Sequence, residues 1–197
     1  MTTDTFNDLN GVLLQGHIKI HDPESGEILI DKRNAIHYEN MSIALAESLG
    51  NAGQGPIYKM AFGNGGTSVD PTGIITYLTP NSTGTNASLY NQTFAKVVDD
   101  QASNNTDPVR NKIETRHVSG TNYTDILISC LLDYGEPSGQ DAFDTATNTE
   151  NLYVFDELGL ISSGASGTDG RLLTHVIFHP VQKSLNRLIQ IDYTVRV

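Results

Sequence analysis

The chain reads as mainly β: an antiparallel β-sandwich or barrel with one short α-helix, at about residues 40–49, and long polar loops. Three observations predict this. Several short stretches alternate apolar and polar residues with a period of two, clusters of Gly, Asn, Asp and Pro separate them, and only one stretch joins helix-compatible residues to start and stop signals. At 197 residues the chain suits a single β-rich domain spanning 1–197, with 38% apolar residues to build a core and 18 glycines to turn between strands.

Taken in order, Gly11-Val-Leu-Leu-Gln-Gly-His-Ile-Lys-Ile20 ends in alternation, Asp22-Pro-Glu-Ser-Gly26 supplies turn chemistry, and Glu27-Ile-Leu-Ile30 resumes the strand pattern. This is a hairpin. The helix follows, because Asn40 can cap it, Ile43, Ala44, Ala46 and Leu49 fit its interior, and Gly50 can stop it. Ile57-Tyr-Lys-Met-Ala-Phe62 is a strand that runs into Gly63-Asn-Gly-Gly66. From Thr67 to Ala87 the chain is Thr, Ser, Asn, Pro and Gly, broken mainly by Ile74-Ile75 and Tyr77-Leu78, and reads as an extended contact arm. Strand patterns return at 92–98, 112–118 and 124–132, and a second long polar loop at 134–148 leads to a strand at 152–161. Residues 162–170 have linker chemistry. A strand at 172–178 then turns through His179–Asn186 into the closing strand 188–197, where Ile189, Ile191, Tyr193, Val195 and Val197 share one face. As the last strand it leaves edge hydrogen-bonding groups open unless an adjacent element or a subunit pairs with them.

Charge narrows the partners. With 12 Lys and Arg against 23 Asp and Glu, the net charge of −11 repels nucleic acid and anionic lipid, so no specific nucleic-acid binding is expected. No apolar run approaches the roughly 20 residues that span a bilayer, and the opening MTTDTFNDLNG lacks a basic and an apolar secretion region, so no membrane and cytoplasmic synthesis are expected.

The chemistry-bearing residues form no reacting set. His17/His21 and His175/His179 are each four apart, which on a strand places the rings roughly 13 Å apart, too far for one ion. A site combining one histidine from each segment is conceivable, but polar-face histidines on amphipathic strands explain both pairs. Gly63-Asn-Gly-Gly66 lacks the lysine and helix of a phosphate loop and reads as turn glycines. The carboxylate pairs Asp99/Asp100 and Asp156/Glu157 offer acid/base chemistry only if they flank a substrate. The single cysteine, Cys130, lies in the apolar run 126–132 and reads as a small buried hydrophobe. Catalytic, cofactor-binding and metal residues are all therefore expected to be none, and no cofactor is expected.

Two regions look familiar. Gly26–His37, the helix opening Tyr38-Glu-Asn-Met-Ser42 and Met60-Ala-Phe-Gly-Asn-Gly-Gly-Thr67 resemble the N-terminal region of virion structural proteins of tailed bacteriophages. Phe155–Ser162, Arg171–Pro180 and Ile191–Arg196 are similar to the closing pattern of phage tail and fibre-associated proteins. Together these stretches cover about half of the chain, and the middle, 67–150, matches nothing familiar. The resemblance implies a non-enzymatic structural component of a virion, a symmetric oligomer in the neck, tail or baseplate that contacts neighbouring virion proteins. A capsid decoration protein and a host-surface glycan-binding module of a tail fibre are the alternatives. Asn34, just before the helix, could tie the hairpin to it through side-chain bonds to the backbone, although a plain loop residue is the favoured reading.

Overall fold

The computed structural model describes residues 13–137 and 152–197; the greater part of the 134–148 loop lies outside them. Ten strands form one antiparallel sheet: β1 (Gln15–His21), β2 (Ile28–Ile36), β3 (Ile57–Gly63), β6 (Gln92–Val97), β7 (Lys112–His117), β8 (Thr124–Leu132), β9 (Leu152–Ser163), β10 (Asp169–Leu172), β11 (Thr174–Ser184) and β12 (Ile189–Arg196). They run in the order β6-β3-β9-β11-β2-β1-β12-β8-β7, with β10 paired to β9. The sheet curls on itself as a half-barrel. A separate hairpin joins β4 (Thr67–Val69) to β5 (Ile75–Tyr77), and the one α-helix among the described residues, α1 (Tyr38–Leu49), follows β2.

The concave face holds the core. Ile189, Ile191, Tyr193 and Val195 are all buried, as the alternation of the closing strand predicts, and they meet Ile18, Ile20, Ile128 and Cys130 from the strands on either side. Aromatic rings fill the middle: Phe155 packs edge-on against Phe62 at 5.4 Å and Phe178 at 5.8 Å, with Tyr153 stacked on it at 5.5 Å. A second, smaller core lies apart from this one, where Leu89 packs with Ala61, Ile161 and Leu172. Thus the segment after the hairpin is bound to the sheet by burial, roughly 1.5–3 kcal/mol for a side chain such as Leu89.

Several expectations are corrected. The closing strand is no edge, since adjacent elements pair with it on both sides, β1 and β8, and the strand path ends at β6 and β7. The predicted turn at 179–186 is mostly strand: β11 continues to Ser184 because Pro180, which has no N–H to donate, is absorbed in a bulge between Ile177 and Val181. The arm, read as a loop, contains two paired strands, β4 and β5, and residues 162–170 include the start of β10. The helix begins two residues before Asn40 because His37 is its cap, its Nδ1 accepting from the Asn40 N–H at 3.2 Å. Asn40 is instead buried on the helix and donates to the Leu172 carbonyl at 2.9 Å, seating α1 on the β10–β11 junction. Asn34 ties no helix. It sits in β2 beside Gly16 and hydrogen-bonds to the hydroxyl of Tyr193 on β12, reaching past β1, where any Cβ on residue 16 would collide with it.

Candidate functional site

The arm is fixed to the sheet by a buried polar cluster. β9 carries Asp156 and Glu157 opposite the β11 bulge, and both side chains are buried, 3% and 0% exposed. A buried carboxylate is costly unless its lone pairs are met. Here they are met by backbone. Glu157 Oε1 accepts from the N–H groups of Gly65 at 3.1 Å and Asn91 at 2.8 Å, and Oε2 accepts from the Tyr90 N–H at 2.9 Å and from His175 Nε2 at 2.9 Å. Asp156 accepts from the N–H groups of Gly66 at 2.9 Å and Thr67 at 2.8 Å, and from the Thr67 hydroxyl.

The glycines explain why the fit is this close. A Cβ on Gly63 would lie 2.4 Å from both the Asn91 carbonyl and Glu157 Oε1, and one on Gly66 would lie 3.0 Å from Ile177 and 3.1 Å from Glu157. Gly63-Asn-Gly-Gly66 is therefore an anion cradle after all, and the anions it holds are the protein's own. Two histidines complete the attachment. His175 Nδ1 accepts from the Asn81 N–H at 2.8 Å, and His37, while capping α1, donates from Nε2 to the Gly84 carbonyl at 3.0 Å. Both rings are fully buried with both nitrogens engaged. The polar-face reading is thus wrong for His175, while His17 and His21, on β1, face Asp31 and Asp192 at the surface. β1 and β11 are separated by β2, so the two His-x-x-x-His segments do not converge.

Environment pushes the adjacent carboxyls in opposite directions. For Asp156 burial dominates and raises the pKa above the usual range; for Glu157 burial also raises it, but the His175 bond and the backbone amides outweigh that and hold it low. Such a divergence can mark an acid/base pair, yet general catalysis needs a lone pair or proton within reach of a substrate, and these groups are buried and committed to amides. The cluster is an anchor. Cys130 is buried, its thiol pushed up to about 12 by desolvation, which leaves no thiolate for chemistry near neutral pH.

What the anchor presents is apolar. Val69 and Ile74, either side of the hairpin bend, are 62% and 63% exposed, with Tyr77 and Leu78 about half exposed beside them. Asp70 is the only charged residue between Asn64 and Asn91, and its carboxylate is used within the bend, accepting from Thr72 and Ile74. Sequence reading found the arm, its apolar pairs, the Asp156/Glu157 pair, the glycine run and His175, but not that these groups hold the arm. Among the described residues, no helix is long and apolar enough to cross a membrane. Compared with known proteins, the chain matches no family model, no curated protein and no solved structure.

Proposed function

We propose that the protein is a non-enzymatic structural subunit of a tailed-phage virion that assembles with copies of itself and neighbouring virion proteins, in the neck, tail or baseplate, through the β4–β5 arm. The observation that carries the assembly role is a hairpin with a single charged residue, Asp70, that exposes Val69, Ile74, Tyr77 and Leu78 on a root fixed by buried carboxylates. Exposed apolar clusters mark contact surfaces, and a contact held in place beforehand loses less entropy on docking. The virion setting rests on the resemblance of the two terminal regions to phage structural proteins.

Sedimentation velocity on the wild type and on a Val69→Asp/Ile74→Asp variant tests the assembly role. The wild type is expected to sediment above the 21.4 kDa of one chain, and the variant, with unchanged circular dichroism, as a monomer. A wild type that stays monomeric at the highest concentration reached contradicts it. Detection of the chain in purified particles of a phage that encodes it tests the setting.

A further inference from the structure

Helix α1 does not seal the end of the half-barrel that it covers. Between Ala44 and Leu45 of the helix, Ile57 at the start of β3, and the inward sides of Ile113, Ile126 and Val195 lies a cavity of about 370 Å³. It follows from the topology. β7 pairs only with β8, and β3 with β6 and β9, so no ladder joins β7 to β3 or β6 across the seam. Toward one end the seam is bridged by Lys96, whose ammonium reaches from β6 to the Leu131 carbonyl of β8 at 2.7 Å. The helix end has no such bridge among the described residues, and the cavity opens there.

Its wall is almost wholly hydrocarbon. The hydroxyl of Ser48 is spent on the Ala44 carbonyl at 2.7 Å, and Asp99, the one ionisable residue on the wall, accepts from the Gln101 N–H at 2.9 Å. An occupant would find few hydrogen-bond partners and, in Asp99, a charge that opposes an anion. Packed interiors seldom leave voids larger than a water, and an apolar cavity of roughly 150 Å³ already stays dry and takes up benzene. This one is more than twice that volume, within the roughly 300–1,000 Å³ of small-molecule sites, and its walls come largely from a helix and four strands.

We propose that this cavity is a binding site for an uncharged apolar molecule, a hydrocarbon chain or ring. It shares no residue with the β4–β5 hairpin, so it stands or falls separately from the assembly role. The test is titration of the full chain with Nile red, followed by displacement with decanol and with decanoate. Expected are saturable, blue-shifted emission at one dye per chain, displacement by decanol, and displacement by decanoate weaker by roughly tenfold or more. Ala44→Phe fills the cavity from the helix and Ile113→Phe fills it from the edge strand; whichever keeps the wild-type circular dichroism should lose dye binding, while Val69→Asp/Ile74→Asp should keep it. Equal displacement by decanol and decanoate, or undiminished binding in a folded cavity-filling variant, would overturn the proposal. So would dye binding that weakens as protein concentration rises, which would assign the cavity to a side chain of a second copy.

Discussion

Glu157 shows how a residue that looks catalytic in sequence becomes structural in the fold. Its two oxygens take four hydrogen bonds from groups 18 to 92 positions away in the chain. Glu157→Gln would turn an amide NH₂ toward those donors, so the variant is expected to lose about 3 kcal/mol in chemical denaturation. Because its carboxyl is held low, its contribution is present above the ordinary carboxylate range near 4.5 and is lost as pH falls through the depressed value. Lys183 behaves oppositely. It is fully buried, donating to the carbonyls of Asp133 and Ser184, and burial lowers its pKa from 10.5 to about 8. Below about 8 both folded and unfolded forms are charged and the full burial penalty applies; between there and 10.5 the unfolded chain holds more protons, so stability rises with pH. Relative to Lys183→Met, the wild type is therefore expected to gain about 3 kcal/mol between pH 7 and 10.5 in paired denaturation curves. Cys130 should react with a thiol reagent at pH 8 only after unfolding, and rapid labelling of the native chain would contradict its burial.

Among the elements, what could be read in the sequence was what is local. The alternation of β12 places Ile189, Ile191, Tyr193 and Val195 inward without reference to any neighbour, and the β1–β2 hairpin follows from the turn residues at 22–26. What could not be read depends on distant partners. The start of α1 turns on a histidine cap, which no common capping pattern signals, and the passage of β11 through Pro180 is permitted by a bulge against β9. The glycine run was visible, but its role is set by Asp156 and Glu157 some 90 residues later, and no local spacing links the two. That link is open to test. Gly63→Ala would press a methyl against the Asn91 carbonyl and Glu157, so a loss of about 1–3 kcal/mol is expected, together with faster proteolysis within 78–91. Wild-type stability and cleavage rate in this variant would show that the cradle is not closely packed.

For the whole molecule, the half-barrel, the second small core and the buried carboxylates combine to hold one long, nearly uncharged segment at the surface of an otherwise strongly acidic chain. A net charge of −11 opposes association between copies, so any contact must come from a region where that charge is thin. The arm is such a region, and its anchoring removes much of the entropy that a loose loop would lose on docking. Amide hydrogen exchange across Thr67–Tyr77, followed over a dilution series, tests this most directly. Protection of the hairpin should rise with protein concentration while that of the β12 amides stays constant; hairpin exchange that is the same at every concentration would mean that the arm meets no second copy.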